Sequence, residues 1–341
     1  MKSIVLVLSL ALLALFSSPP HNGFAQQTPS DQDDVIRVET DLTNLFFTAS
    51  SKDARFITTL REEDFRVTED GLPQKILTFQ RETDRPLSIA FLIDVSSSQE
   101  RTLSQEKAAA RGFIETIIRS SKDQAAIIPF TGAAFLEQGL TRDVFSIYRA
   151  LERVEVAMPA YLGSGRQISG ISSGPGMKAP PREGSTAIWE AIVLTAREVL
   201  GPSQDQRRRA IILLTDGHDT SSRLLRSEAV NQALASETVI YAIGIGDKRY
   251  EGIDHDAVRA VAEGTGGRAF FPKRDADLKT AFAEIEQELR SQYLIAYSST
   301  NKNHDGSYRR MKIEITNPAL QKDQLRLRYR PGYFAKAGQR R

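Results

Sequence analysis

Residues 91–100 read FLIDVSSSQE. The stretch LSIAFLID (87–94) is almost wholly apolar and then stops at a carboxylate. A strand that is apolar on both faces belongs inside a parallel sheet covered by helices above and below. Its end is chemically different. Asp94, Ser96 and Ser98 alternate, so an extended turn keeps their oxygens on one side. Oxygen donors without nitrogen or sulfur suit magnesium, manganese or calcium better than zinc or copper. Taken alone, DVSSS also reads as a helix cap and turn, because Asp and Ser both accept hydrogen bonds from helix N-termini.

Working outward, helices and buried strands alternate. SQEKAAARGFIETIIRS (104–120) is amphipathic, with Ser104 as the expected N-cap. QAAIIPF (124–130) is a second buried strand, AFLEQGLT a short partner, and RDVFSIYRALERV helical. After an interruption come TAIWEAIVLTAREVL (helix), AIILLTDG (strand), LLRSEAVNQALASE (helix), VIYAIGIG (strand), DHDAVRAVAEG (helix), GRAFFP (strand) and ADLKTAFAEIEQELRSQ (helix). This rhythm predicts an α/β fold, a doubly wound, mostly parallel sheet. In such a sheet ligands sit beyond the carboxyl ends of the strands. Asp94 and Asp216 each end a strand on that rim, and Thr186 opens a helix beside it.

The five oxygen-bearing positions resemble the von Willebrand factor type A (vWA) domain and its metal-ion-dependent adhesion site (MIDAS). That pattern is Asp-x-Ser-x-Ser, a distant Thr and a later Asp. Here it stands as Asp94-Val95-Ser96-Ser97-Ser98, Thr186 in GSTAIWEAI and Asp216 in LLTDG. DQAAIIPFTGAAFLEQGLT is similar to the second and third strands of the family, and the resemblance spans residues 86–298. It implies that Ser96, Ser98 and Thr186 contact a divalent ion, Mg2+ or else Mn2+ or Ca2+. Asp94 and Asp216 would act partly through water, and one position would stay open for an acidic side chain of a protein partner. The implied role is adhesion or assembly without catalysis. The alternatives are a structural module stabilised by a metal and a metal-dependent phosphohydrolase.

The flanks follow a different pattern. Residues 35–82 and 300–334 show short alternating stretches, with Asp70-Gly71 as a hairpin turn between FRVTE and QKILTF. Each holds too few strands for a core of its own. They are therefore expected to pair into one β-rich flanking module built from the N- and C-terminal segments. They also resemble an exported bacterial family related to vWA. The departure from the family is the Gly/Ser/Pro-rich insertion 157–185 just before Thr186, read as a long flexible loop.

Composition bounds the rest. The chain has 341 residues, net charge +2 and no cysteine. Disulfides, thiolate metal sites and thiol nucleophiles are excluded. No long basic stripe suggests nucleic acid. Lys2, the apolar run Ile4–Phe16 and small residues before Ala25 predict a secretory signal over 1–25, with a disordered leader over 26–34. The mature chain is expected to be periplasmic or secreted, without a membrane span.

Enzyme patterns fit poorly. A haloacid-dehalogenase-like phosphatase needs an Asp where Ser96 stands, and no G-x-S-x-G lies between a strand and a helix. Other features have plain expectations. His218 and Asp219 read as a solvated loop pair, GTGGR (264–268) as a tight turn before a strand, Arg207–Arg209 as a solvated turn on the rim opposite Asp94, and Trp189 as core.

Overall fold

The computed structural model describes residues 42–53, 55–82, 84–156, 166–167, 185–201, 207–246 and 252–337. The expected signal and leader lie outside the described residues, as does nearly all of the 157–185 insertion.

In chain order the first elements are β1 (Leu42–Ser50), β2 (Phe65–Glu69), β3 (Leu72–Gln74), β4 (Ile76–Arg81), β5 (Leu87–Asp94) and α1 (Leu103–Ile117). Next come β6 (Gln124–Phe130), β7 (Phe135–Leu136), β8 (Gln138–Thr141), α2 (Val144–Arg153), β9 (Arg166–Gln167) and α3 (Ile188–Leu194), which runs on into π-helical Thr195–Leu200. Then follow β10 (Arg208–Thr215), α4 (Arg226–Ala235), β11 (Thr238–Gly244), α5 (His255–Gly264), β12 (Ala269–Phe270) and α6 (Asp275–Arg290). The chain closes with β13 (Tyr293–Ser298), β14 (Tyr308–Ile315), α7 (Pro318–Lys322), β15 (Arg326–Tyr329) and β16 (Gly332–Phe334).

The central sheet has the order β12-β11-β10-β5-β6-β8, parallel except for β8. Every residue of β5 is buried. Its alternate residues serve two cores, as the pleat requires. Leu87, Ile89, Phe91 and Ile93 join the cluster made with α1, α2 and α6. Ala90 and Leu92 join the cluster made with α3, α4 and α5. From β5 the chain moves first to β6 on one side and later to β10 on the other. Strand order therefore reverses between β5 and β10, the kind of position at whose carboxyl ends open α/β sheets bind their ligands.

Two antiparallel sheets, β15-β1-β13-β4 and β16-β14-β2-β3, share a third core. N-terminal β1 and β2 pair with C-terminal β15 and β14. Phe47 stacks on Tyr293 at 5.2 Å and meets the edge of Phe65 at 5.3 Å, which ties the two sheets together.

Several sequence expectations need correction. β13 falls within the 86–298 span read as one α/β domain, yet it lies antiparallel between β1 and β4. Its apolar residues fill the aromatic core, a preference that local pattern does not reveal. QKILTF is not the second arm of the Asp70-Gly71 hairpin. Leu72–Gln74 pairs with β2, and Ile76–Arg81 crosses to the other sheet. The cap of α1 is Thr102, not Ser104. Inside the insertion, Arg166–Gln167 pairs with Phe135–Leu136. Arg207 and Arg208 are buried where β10 begins, not solvated.

Candidate metal centre

β5 delivers Asp94 to the sheet rim with no exposed surface. Ser96 then takes extended backbone angles and starts a 3-10 turn over Ser97–Gln99. Its backbone N–H donates to Asp94 Oδ1 (3.0 Å), so the carboxylate folds the turn that carries both serines. Ser96 Oγ lies 3.0 Å from Ser98 Oγ, and Ser98 Oγ donates to Asp216 Oδ2 at 2.6 Å. From the end of β10, Thr215 Oγ1 donates to Asp94 Oδ2 (2.7 Å), and the His218 backbone N–H donates to Asp216 Oδ1 (3.0 Å). Gly217 allows this turn. Its φ is +87°, and a Cβ would stand 2.8 Å from Val258 Cγ2.

Asp94, Ser96, Ser98 and Asp216 thus form one connected cluster. Thr186 is held differently, at the entrance to α3. Its backbone N–H donates to Thr220 Oγ1 (2.8 Å), and its carbonyl accepts from the Thr220 and Ser221 N–H groups (2.9 and 3.0 Å). Thr131 Oγ1 donates to the Ser185 carbonyl (2.6 Å), and the Ala187 N–H donates to the Thr131 carbonyl (2.8 Å). The Thr220 and Ser221 bonds fasten the Thr186 segment to the loop after Asp216, and the Thr131 bonds fasten it to the loop after β6. Ser96, Thr186 and Asp216 are each at most 4% exposed, while Ser98 is half-buried.

Three contributors were not evident in the sequence. Asp219, expected as a solvated loop residue, accepts from the N–H of Ile188 (2.8 Å) and of Trp189 (3.3 Å) and so caps α3. The Asp-Thr-Ser-Ser composition signals a capping turn, but the helix it caps lies some 30 residues earlier. Thr215, next to Asp216, binds Asp94. The third is Glu106 on α1, 1% exposed, with neither carboxylate oxygen partnered among the described residues.

The electrostatics follow from this crowding. Burial, and then repulsion from Asp216, push the Asp94 carboxyl up to about 7. Burial pushes Glu106 up to about 8, with Asp94 and Asp216 adding to it. Both groups therefore favour the neutral form in the folded, metal-free chain. Their stabilising contribution is complete below the ordinary carboxylate range and is lost as pH rises through about 7 and 8. Glu106→Gln removes one of the two titrations. In EDTA, wild type should lose roughly 2–4 kcal/mol more than this variant between about pH 5 and pH 8.5. Urea unfolding at those two pH values measures it, and equal losses would show that Glu106 carries no such strain.

Residues 176–284 match the family model described as the von Willebrand factor type A domain. These residues belong to a vWA domain. The matched span contains Thr186 and Asp216. Asp94, Ser96 and Ser98 precede it and join it through the β5–β10 pairing. Among solved structures, the vWA protein from Catenulispora acidiphila matches at 13% identity and TM-score 0.48, over 86% of this chain and 73% of that one. The conserved hypothetical protein BatB from Bacteroides thetaiotaomicron matches at 20% and 0.43, over 60% and 100%. Proximal thread matrix protein 1 from the mussel byssus, with a zinc-occupied MIDAS motif, matches at 18% and 0.49, over 65% and 50%. No curated protein matches this chain.

The donor set of this vWA domain fits a hard divalent cation. It comprises two carboxylates and three hydroxyls, with Asp94 and Asp216 close enough to repel each other. Among the described residues no group of three or more His, Cys, Asp or Glu side chains is placed to hold a metal ion.

Proposed function

We propose that the chain is an exported, non-catalytic binding module. Asp94, Ser96, Ser98, Thr186 and Asp216 would hold a divalent cation, magnesium before manganese or calcium, and the ion would recognise an acidic side chain of a protein partner. The observation that carries this reading is the contact of Asp94, Ser96, Ser98 and Asp216 in one all-oxygen cluster at the strand-order switch. When bound, the cation supplies charge neutralisation for the two carboxylates and Lewis acidity toward a further oxygen ligand. The chain's own residues do the positioning. Asp94 folds the serine turn, Thr215 orients Asp94, and Asp219 with Thr220 fixes the Thr186 loop. The region expected to carry the export signal lies outside the described residues. Among those described, no helix is long and apolar enough to cross a membrane.

Burial favours a second reading. With four of the five side chains nearly inaccessible, the ion could act as a structural clamp between β5 and β10. The two readings differ in what EDTA removes. For recognition, capture of a partner from cell-envelope extract is abolished by EDTA, restored by magnesium or manganese, and lost in Ser96→Ala/Ser98→Ala, while the apoprotein stays folded. An identified partner that binds equally well in EDTA and to the double variant would refute recognition through the metal. A melting temperature that depends on cation while partner binding does not would establish the clamp.

A further inference from the structure

Glu106 is a buried charge that the fold leaves uncompensated. It lies in the first turn of α1, 1% exposed, and neither carboxylate oxygen has a hydrogen-bond partner among the described residues. The α1 side chains that share its core are apolar, Leu103, Ala110 and Phe113 among them.

Its position follows from the turn that carries the serines. The Gln99 N–H donates to the Ser96 carbonyl (3.0 Å), the Thr102 N–H to the Gln99 carbonyl (3.1 Å) and the Glu106 N–H to the Thr102 carbonyl (3.0 Å). The serine turn and the start of α1 are therefore one continuous hydrogen-bonded unit. The polar side chains of that unit are already committed. Thr102 Oγ1 donates to Gln99 Oε1 (2.8 Å), and Gln99 Nε2 donates to the Ile245 carbonyl (3.3 Å). A hydroxyl has one proton, so Thr102, although it neighbours Glu106, has none left for it.

The basic residues of α1 turn elsewhere. Lys107 Nζ donates to the Glu152 and Val154 carbonyls (2.7 and 2.9 Å), and the Arg111 guanidinium lies over the Tyr148 ring at 4.2 Å. The charges that do act on Glu106 are those of Asp94 and Asp216, both of its own sign. A carboxylate buried without donor or counter-charge is strongly disfavoured. Either a proton or a cation from outside the chain can offset that. The proton serves the metal-free state, in which burial pushes this carboxyl up to about 8. The cation would be the one assigned to Asp94, Ser96, Ser98, Thr186 and Asp216. Glu106 does not join them as a ligand, since among the described residues no three carboxylates are placed to hold one ion. Its field reaches further, because a protein interior weakens the attraction between charges much less than water does.

We propose that Glu106 is a third carboxylate of the metal centre, which strengthens cation binding through its negative charge without ligating the ion. This role rests on the metal assignment made above.

The test titrates magnesium calorimetrically into wild type, Glu106→Gln and Glu106→Asp at pH 8.5, where Glu106 has mostly given up its proton. Glu106→Gln keeps the shape and removes the charge, whereas Glu106→Asp keeps the charge and leaves a gap of one methylene. Glu106→Gln should bind magnesium about tenfold more weakly, the lower end of what residues outside the ligand set cost. Glu106→Asp should bind it more tightly than Glu106→Gln does. Thermal unfolding in EDTA should find Glu106→Gln at least as stable as wild type, because it buries no charge. A merely structural glutamate predicts the opposite on both counts, with Glu106→Asp the poorer binder and Glu106→Gln the less stable apoprotein, and either result would overturn the proposal. So would equal magnesium affinity in wild type and Glu106→Gln, which leaves the metal centre standing. Wild type that binds no magnesium would refute the metal centre itself, and the role of Glu106 with it.

Discussion

Arg309→Met should lower the unfolding free energy by about 3–5 kcal/mol, the usual cost of stranding one half of a buried ion pair. Arg309, on β14, is 3% exposed, and Glu69, on β2, is 2% exposed. Arg309 Nη1 lies 3.4 Å from Glu69 Oε1 and donates to Ser299 Oγ (3.0 Å) and the Asn301 carbonyl (2.6 Å). The hydroxyls of Tyr297 on β13 and Tyr333 on β16 donate to Glu69 Oε2 at 2.8 and 3.0 Å. One carboxylate therefore joins strands separated by more than 200 residues. Replacing only the arginine leaves that carboxylate inside the module without its counter-charge. Urea unfolding measures the loss, and a second variant supplies the control. Glu69→Gln combined with Arg309→Met removes both charges and should recover part of the stability. A loss below about 1 kcal/mol in Arg309→Met would show that the hydroxyls alone satisfy Glu69.

Asp94→Ala and Asp216→Ala should each weaken magnesium binding by at least about 100-fold, since even outer-shell substitutions cost 10–100-fold at metal sites. Neither should unfold the metal-free chain at neutral pH. Burial, and then repulsion from Asp216, disfavour the Asp94 carboxylate, so removing either carboxyl relieves a cost that the apoprotein bears. The β5 core, from Leu87 to Ile93, is untouched by either change. Calorimetric titration gives the affinity and thermal unfolding in EDTA gives the stability. Unchanged magnesium affinity in both variants would remove the metal assignment. A collapse of the apoprotein would instead mean that the carboxylates are structural, through the Ser96 turn and the Thr215 bond.

The sequence by itself determined the features that depend on local order. Leu87–Asp94 had to be a central strand because no face of it could meet water. Asp94 and Asp216 had to share a rim because both end parallel strands. Ser96 and Ser98 do accompany Asp94, but the expected extended spacing is not the reason: the chain enters a 3-10 turn at Ser97, and the Ser96 N–H bond to Asp94 holds that turn in place. Tertiary structure decided whatever depends on partners distant along the chain. Tyr293–Ser298 reads like another strand of the vWA sheet, yet it joins β1 and β4 because Tyr293, Ile295 and Tyr297 complete the aromatic core there. Arg207 and Arg208 read as a solvated turn but are buried beneath a module assembled from both ends of the chain. Glu106 reads as an ordinary polar residue of α1, and only the packing of that helix exposes it to the charges of Asp94 and Asp216. Asp219 is recognisable as a capping residue, but the helix it caps is not. Periodicity reports whether a residue will be buried, since burial depends on the spacing of apolar neighbours. It does not report what the residue will be buried against, since that contact forms only when separate segments meet.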